Sequence, residues 1–445
     1  MSENLREIVF QALLEKEKED VYVHVLVGDV LERYAYLEKR DRSFIAKLIQ
    51  GTIEKQITID YVIDSISSTP THKMKPPIRV IMRMAVYQIL YMDHVPHNAA
   101  VNEAVNLAKK HGLAKLSGFV NGVLRNVVRS RDSIVWPDAR KNPVKYMSIM
   151  YSIPERLVKL LIDEQGADNA EAVCKATLED KPLIVRLNTS KAAPETFIKR
   201  CEDEAVKVSK CVLDNAYLLD GVESIKKLRT FTDGLIRVQD ISSQLVCHVA
   251  GIKAGDKVLD LCAAPGGKSI HAADMEAIVT SCDVSEDKLA KIRENAGDCG
   301  FDIDVRLNDA SVYNSEFEEK FDVVIADVPC SGLGVMRRKQ DIRYRITNDE
   351  IDAIVELQRS IAVNAARYVK PGGVLVYSTC TVSRRENEDA RAFILEKCNV
   401  SVSDFARALP ERLYKDTAKE GYLQLYGNED INDGFFIARF IKNRS

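Results

Sequence analysis

From about Gly234 onwards the chain alternates short apolar runs with segments that repeat apolar residues at helical spacing. This alternation restricts the fold more than any other feature, because strands that alternate with helices pair in parallel within one sheet. Helices are predicted at 285–300 and 347–373, among others. Strands are predicted at 257–263, 277–283, 302–309, 321–328, 373–380 and 433–442. We therefore expect a doubly wound, Rossmann-like α/β domain over 236–445.

The residues before this domain follow other patterns. Residues 1–130 show only helical periodicity, which predicts an all-α domain over 1–135. The stretch 132–143 is typical of a linker. It leads into a small α+β domain over 140–235, which combines predicted helices at 152–166 and 194–205 with a predicted strand at 182–191. A multidomain chain agrees with the length of 445 residues, which is too long for one hydrophobic core.

Positive charge is concentrated in two parts of a chain whose formal net charge is −3. Residues 73–140 hold eleven Lys or Arg against four Asp or Glu, and residues 336–345 hold five against one. Such patches fit a local contact with phosphate groups, although either one alone is better explained as a solvated helix face. The second patch supplies the candidate phosphate-binding residues Arg337, Arg338, Lys339, Arg343 and Arg345.

Cysteine and histidine usage restricts the kind of site. The ten cysteines include no C-x-x-C pair, which argues against a structural zinc site and a disulfide framework. All seven histidines lie at or before His271, so a histidine base in the last third is not expected. No long uncharged apolar stretch or signal peptide is visible. We expect a reduced, cytoplasmic and monomeric protein without a metal or a membrane partner.

A glycine-containing loop, LDLCAAPGGKS at 259–269, joins the first predicted strand to a helix. Glycines and small residues let a ligand approach the backbone, and a helix start offers free N–H donors. A phosphate-binding P-loop is disfavoured because Cys262 replaces its first glycine, and a dinucleotide G-x-G-x-x-G motif is absent. S-adenosylmethionine is the third candidate ligand, since it needs an open turn and nearby carboxylates instead of a phosphate site.

Carboxylates are predicted at three successive strand ends: Asp283, Asp309 and Asp327. An acid after the second strand suits ribose hydroxyls, and an acid near the third suits an adenine amino group. Each aspartate taken singly is equally well explained as a helix N-cap. Three of them beside a glycine loop favour a nucleoside cofactor.

The segments 323–332 and 374–383 each consist of an apolar run that ends in a short polar turn with a cysteine, Cys330 in the first and Cys380 in the second. Parallel strands would deliver both cysteines to one edge of the sheet. Thiolate addition to carbon 6 of cytosine activates carbon 5 for methyl transfer, and a second group near the adduct helps release. A buried cysteine is more often an inert apolar side chain. We expect that of Cys174, Cys201, Cys211, Cys247, Cys282, Cys299 and Cys398.

Four segments resemble the RNA (cytosine-5) methyltransferases: DVPCSGLGVMRR, YSTCTVSRRENE, LDLCAAPGGKS and VQDISSQLV at 238–246. The resemblance covers the chain from about Pro154 to the C-terminus. It implies that Cys380 is the nucleophile and that Cys330 assists product release, whereas DNA enzymes attack with the Pro-Cys cysteine. One departure is Val328, where the family usually has alanine. The implied S-adenosylmethionine site comprises Cys262, Ala263, Ala264, Pro265, Gly266, Gly267, Lys268, Asp283, Asp309 and Asp327.

The N-terminal segments VPHNAAVNEAVNLAKKHG and KLSGFVNGVLRNVVR resemble the helical RNA-binding domain of the NusB family. Fusion of that domain to this methyltransferase is the arrangement of enzymes that modify 16S ribosomal RNA. The resemblance implies 16S ribosomal RNA, free or in an early assembly state, as the partner, and it implies no DNA substrate. A transfer RNA methyltransferase and a non-catalytic RNA-binding factor with a degenerate methyltransferase domain are the alternatives.

Overall fold

A computed structural model describes residues 4–19, 21–179, 182–222, 224–427 and 432–444. The chain forms two compact units. One comprises Met1–Leu178 and Met336–Arg345, and the other comprises Glu179–Val335 and Ile346–Ser445. The ten residues 336–345 thus belong to the first unit, although the sequence on both sides of them belongs to the second.

The α-helices of the described residues are α1 (Leu5–Lys18), α2 (Val23–Arg33), α3 (Lys39–Glu54), α4 (Gln56–Ile66), α5 (Pro76–Tyr91), α6 (His97–Lys110), α7 (Ser117–Ser130), α8 (Pro143–Tyr151), α9 (Glu155–Gln165), α10 (Ala167–Ala176), α11 (Pro194–Asp203), α12 (Arg229–Thr232), α13 (Ile241–Ala250), α14 (Gly267–Asp274), α15 (Glu286–Cys299), α16 (Ile342–Arg345), α17 (Asn348–Tyr368) and α18 (Glu388–Lys397). The strands are β1 (Leu183–Leu187), β2 (Lys207–Lys210), β3 (Ala216–Asp220), β4 (Ile236–Val238), β5 (Lys257–Asp260), β6 (Ile278–Asp283), β7 (Asp304–Leu307), β8 (Phe321–Asp327), β9 (Val369–Thr379), β10 (Val400–Val402), β11 (Tyr422–Tyr426) and β12 (Gly434–Lys442).

The first unit is helical, as the periodicity of residues 1–130 predicts. Helix α5 begins with two prolines at positions that need no helical N–H donor, and it buries ten of its residues in the core. Helix α1 begins after Asn4, whose side chain accepts hydrogen bonds from the backbone N–H groups of Arg6 and Glu7. None of the helices in the described ranges is long and apolar enough to span a membrane.

The second unit contains two sheets. Strands β2, β3, β1 and β4 form an antiparallel sheet in that order. The large sheet has the order β10-β12-β9-β8-β5-β6-β7, and β11 also pairs with β12. Strands β5 to β9 pair in parallel, whereas β12 is antiparallel to its neighbours. The strand order reverses between β5 and β8, and ligands bind at such a switch point beyond the carboxyl ends of the strands.

These elements confirm the predicted fold class: a helical N-terminal domain, a sheet-containing middle region and a C-terminal α/β domain. The long helix predicted over 347–373 ends earlier, at Tyr368, because the following residues continue as β9 and Gly372 has a left-handed φ of 82°. Strands β2, β3, β4, β10 and β11 were not predicted. The domain boundaries 1–135, 140–235 and 236–445 remain a prediction, and helices α8–α10 lie in the first unit.

Candidate active site

Strands β8 and β9 end side by side at the switch-point edge of the large sheet. Asp327 is paired with Ser378, and the N–H of Val328 donates to the carbonyl of Ser378 at 3.0 Å. The two turns that follow bring the sulfur atoms of Cys330 and Cys380 to 3.2 Å from each other. The pairing register of β8 and β9 therefore produces the thiol pair that the two sequence motifs suggest.

The contact between the two thiols affects the protonation of Cys330. The hydrogen bond to Cys380 is the largest cause that raises the pKa of Cys330, and burial raises it further. At this separation either sulfur can be the donor of the hydrogen bond. A thiolate is the nucleophilic form of cysteine, and a thiol donor this close stabilises a thiolate on its partner.

Lys268 and Asp327 form an ion pair next to the thiols, with 2.5 Å between Nζ and Oδ2. The other carboxylate oxygen of Asp327 accepts a hydrogen bond from the hydroxyl of Ser378 at 2.6 Å. Burial lowers the pKa of Lys268, but the charge of Asp327 and the hydrogen bond to it raise the pKa above its usual value. The lysine of the loop is therefore neutralised by a carboxylate, unlike a P-loop lysine that faces phosphate.

The loop between β5 and α14 lies against the end of β6. The N–H of Ala263 donates to the carbonyl of Cys282, and the N–H of Ala264 donates to Oδ2 of Asp283 at 3.0 Å. Gly266 has a φ of 101°, a conformation that other residues rarely adopt. A Cβ atom at Gly266 would also lie 3.4 Å from Cγ2 of Ile292. The backbone conformation therefore shapes this loop, and its two glycines add no side chain that would fill the space beside it.

Asp283 and Asp309 lie in different environments. The side chain of Asp283 is 5% exposed, and its Oδ1 accepts hydrogen bonds from the N–H of Val284 at 2.8 Å and from Nζ of Lys288 at 2.9 Å. With the bond from the loop this makes three, and a carboxylate can accept about four. Asp309 is exposed, and hydrogen bonds from the hydroxyl and N–H of Ser311 lower its pKa. Asp309 thus closes a turn after β7 through its bonds to Ser311, and no helix of the described residues begins there.

A fourth carboxylate, Asp260, was missed in the sequence although it ends β5 in the same way. It is 1% exposed, and Oδ2 accepts a hydrogen bond from the hydroxyl of Ser269 at 2.7 Å. Its Oδ1 is buried without a hydrogen-bond partner among the described residues. Burial raises the pKa of Asp260 to about 6, against the hydrogen bond from Ser269. Asp260 would have been found by the rule that selected Asp283, Asp309 and Asp327, namely that a carboxylate at the end of a parallel strand can face a ligand.

These residues fit S-adenosylmethionine. An unpartnered buried oxygen at Asp260, a side-chain-free turn at Gly266 and Gly267, and the carboxylate of Asp283 surround the carboxyl ends of β5 and β6. Carboxylates match the hydroxyl and amino donors of that cofactor and its positive charge. Nothing in the loop presents the phosphate-binding pattern of a P-loop.

The basic strip is the second basic patch, residues 336–345, whose cationic side chains are predicted to contact RNA phosphates. The structure divides these side chains into buried and accessible ones. The prediction is wrong for Arg343, which is 0% exposed because its guanidinium donates to the carbonyls of Tyr151, Ser152 and Met336 within the first unit. Arg345 is also engaged there: it pairs with Asp341 at 3.3 Å and lies over an aromatic ring. Arg337 is 5% exposed, Arg338 is half-buried and Lys339 is exposed.

Helices α6 and α7 form a polar groove within the basic region 73–140. Cavities of about 590 Å³ and about 500 Å³ lie along these helices. Their polar lining residues include Asn102, Lys109, Asn121, Arg125 and Arg129. Amide and cationic side chains of this kind suit contacts with a polar, anionic ligand surface.

Family models and known proteins match both the N-terminal and the C-terminal parts of this chain. The family model described as 16S rRNA methyltransferase RsmB/F matches residues 249–441, and the NusB family model matches residues 3–129. The "Probable ribosomal RNA small subunit methyltransferase B" of Bacillus subtilis is 35% identical across 99% of both chains. The protein of the same name from Synechocystis is 30% identical across 98% of this chain and 99% of the relative. The crystal structure of PH0851 shares the fold, with a TM-score of 0.79, 24% identity and 99% coverage of both chains.

Proposed function

Since the chain belongs to the RsmB/F family of 16S rRNA methyltransferases, and is thus a ribosomal RNA methyltransferase, we propose that it methylates carbon 5 of a cytosine in 16S ribosomal RNA. The observation that carries this proposal is the 3.2 Å separation of Cys330 and Cys380 at the edge of the sheet where the glycine loop lies. Two thiols this close, next to a cofactor loop, match the needs of cytosine methylation through a covalent adduct.

Cys380 attacks carbon 6 of the cytosine as a thiolate, and the new C–S bond shifts ring electrons to carbon 5. S-adenosylmethionine, when bound, supplies the electrophilic methyl group that carbon 5 takes up. Carbon 5 then loses its proton; the electrons of that C–H bond restore the ring double bond, and the C–S bond breaks to return the Cys380 thiolate. We assign assistance with this elimination to Cys330.

The raised pKa of Cys330 supports that order of roles. Before attack, its hydrogen bond to Cys380 favours the protonated form and stabilises the neighbouring thiolate. Attack converts the Cys380 thiolate into a neutral thioether, a much weaker hydrogen-bond acceptor, so Cys330 no longer has a charged partner that favours its protonated form. Cys330 can then release its proton to solvent and accept the proton that carbon 5 must lose.

We assign the cofactor to residues 262–268 with Asp283, Asp309 and Asp327, and we add Asp260. Asp283 offers its remaining acceptor capacity to ribose hydroxyls, and Asp309 is assigned to the adenine amino group. Asp327 precedes Cys330 by three residues, and its side chain is 26% exposed. We therefore assign it a second role beside that in the cofactor site, namely a contact with the target base. These carboxylates orient the ligands, while the chemistry at carbon 6 belongs to Cys380.

We assign binding of the RNA backbone to the groove of α6 and α7 and to the strip residues that solvent can reach, Arg338 and Lys339. Arg337 stays a prediction, with 5% of it exposed. Free RNA or an early assembly intermediate is the expected form of the substrate, with one copy of the protein acting on it. The cationic groups supply affinity through phosphate contacts, whereas the active site selects the base.

Bisulfite sequencing of 16S ribosomal RNA tests the proposal. RNA from cells that lack this gene should convert fully at one cytosine, which complementation with the parent gene should protect again. Complementation with Cys380→Ala should leave that cytosine unprotected. Protection of the same cytosines with and without the gene would refute the proposed reaction.

A further inference from the structure

Glu386 is a buried carboxylate next to the thiol pair, and it is 0% exposed. Its Oε1 accepts a hydrogen bond from the hydroxyl of Ser331 at 2.5 Å, and its Oε2 accepts one from the N–H of the same residue at 2.8 Å. Nε2 of Gln358 donates to Oε2 at 3.0 Å. The carboxylate thus holds the residue that follows Cys330 at two points.

The same carboxylate also contacts the turn of the second cysteine. The hydroxyl of Thr381 lies 3.4 Å from Oε1 of Glu386 and 2.7 Å from the hydroxyl of Ser331. Ser331 directly follows Cys330, and Thr381 directly follows Cys380. One buried side chain therefore connects the two turns that carry the thiols.

The position of Glu386 is itself fixed by several hydrogen bonds. Gln358 donates to the carbonyl of Pro329 at 2.9 Å as well as to the carboxylate. The hydroxyl of Tyr377 donates to the backbone carbonyl of Glu386 at 2.8 Å. Burial raises the pKa of Glu386, while the hydrogen bonds from Ser331, Gln358 and Thr381 oppose that change. Donors arranged around both oxygens are what a buried carboxylate needs to remain ordered.

The turn of Cys380 has a second, independent support in Asn387. Its Oδ1 accepts a hydrogen bond from the hydroxyl of Thr379 at 2.6 Å, and its Nδ2 donates to the carbonyl of Thr381 at 3.0 Å. Residues on both sides of Cys380 are thus held without Glu386. Loss of the carboxylate should consequently displace the turn of Cys330 more than the turn of Cys380.

We propose that Glu386 is a positioning residue that keeps the thiol of Cys330 within hydrogen-bond distance of Cys380 by holding Ser331. It acts through Ser331 and touches neither the RNA nor the cofactor, because it has no exposed surface. This inference rests on the proposed function, since it assigns Glu386 to the elimination step in which Cys330 assists. A glutamine at this position keeps the shape but presents an amide N–H where one of the two donor groups of Ser331 needs an acceptor.

The test measures formation and decay of the covalent protein–RNA complex on denaturing gels, with S-adenosylmethionine and a 16S RNA transcript. Glu386→Gln should form the complex and release it roughly 10- to 100-fold more slowly than the parent protein, as expected for a misplaced catalytic group. The affinity for S-adenosylmethionine should stay close to that of the parent, whereas the melting temperature should fall modestly, because one buried donor loses its acceptor. The double variant Cys330→Ala/Glu386→Gln should release the complex no more slowly than Cys330→Ala alone, because both changes affect one step.

Asp389→Asn is the matched control, because Asp389 is an exposed acid three residues away that pairs with Arg384 at 3.5 Å. It should release the complex at the parent rate. If Glu386→Gln does not fold, Ser331→Ala replaces it, since this variant removes the hydroxyl that the carboxylate holds. Parent-like release in the variant that folds, or equal losses of stability and of complex formation, would overturn the role of Glu386. Absence of a trapped complex with Cys330→Ala would refute the proposed mechanism instead, whatever Glu386 does.

Discussion

The sulfur of Cys330 lies 3.2 Å from the sulfur of Cys380, although 50 positions separate the two residues in the chain. Neither thiol belongs to a disulfide, and both are half-buried at the end of neighbouring parallel strands. The hydrogen bond between the two thiols and burial raise the pKa of Cys330. The two sulfur atoms therefore form one site, and substitutions are needed to distinguish their roles.

Single substitutions should separate those roles. Cys380→Ala should form no covalent complex with RNA and show no methylation, yet bind cofactor normally, because it lacks the attacking atom. Cys330→Ala should attack and methylate, then accumulate as protein bonded to RNA. A denaturing gel after incubation with RNA and S-adenosylmethionine shows the complex as a slow-migrating band. The band should also be missing from the double variant, and a band with Cys380→Ala in place of Cys330→Ala would reverse the assignment.

Removal of the Asp283 carboxylate should weaken cofactor binding. Asp283→Ala takes away the proposed ribose contact and also the acceptor for the N–H of Ala264, which positions the loop. Hydrogen bonds to a charged group contribute about 1.5–3 kcal/mol, so calorimetry should show roughly 10- to 100-fold weaker binding of S-adenosylmethionine. Asp287→Ala, in which an exposed acid of α15 is removed, is the control and should bind like the parent. Equal affinities for all three proteins would remove Asp283 from the site.

Asp260 should make the stability of the cofactor-free protein depend on pH. Its folded-state pKa is about 6, whereas the ordinary value is 3.8, because it is buried. The folded state thus binds a proton more tightly than the unfolded state, so this group's stabilising contribution is complete below about pH 4 and is lost as the pH rises to about 6. Asp260→Asn cannot ionise and should escape that loss. Relative to the parent, its free energy of unfolding should rise by about 3 kcal/mol across this range and then level off.

Denaturant titrations at pH 4, 5, 6 and 7.5 measure this effect. The asparagine retains an oxygen that can accept the hydrogen bond from Ser269, so the comparison isolates the ionisation. A difference between the two proteins that is the same at every pH would show that the carboxyl of Asp260 does not titrate abnormally.

The basic strip should divide into residues that serve RNA binding and residues that serve folding. Arg338→Ala/Lys339→Ala should weaken RNA binding and flatten its dependence on salt, because fewer counterions are released. Arg343→Met should instead lower the free energy of unfolding, since it leaves the carbonyls of Tyr151 and Ser152 without their donor. Filter binding at several salt concentrations and chemical denaturation measure the two effects. A parent-like salt slope in the first variant would assign Arg338 and Lys339 to an ordinary solvated surface.

The sequence alone determined the helical character of residues 1–130 and the order of the main strands and helices of the C-terminal domain. The apolar runs that end at Asp283 and Asp327 predicted strands, and the periodicity of residues 1–130 predicted helices, because these patterns depend on neighbours within a few positions. The motifs around Cys330 and Cys380 also indicated the family, which the comparisons confirm. Local patterns predicted the end of α17 wrongly, because they did not show where the helix stops and the next strand begins.

Only the tertiary structure decided which of these residues meet and which are accessible. Arg343 looks like a surface cation in the sequence, but its partners Tyr151 and Ser152 lie about 190 positions earlier, and their carbonyls bury it. Glu386 looks like one acid in a charged run, but strand pairing brings it to Ser331, 55 positions away. Burial and hydrogen bonding between distant segments depend on how strands and helices pack, and no short stretch of sequence contains that information.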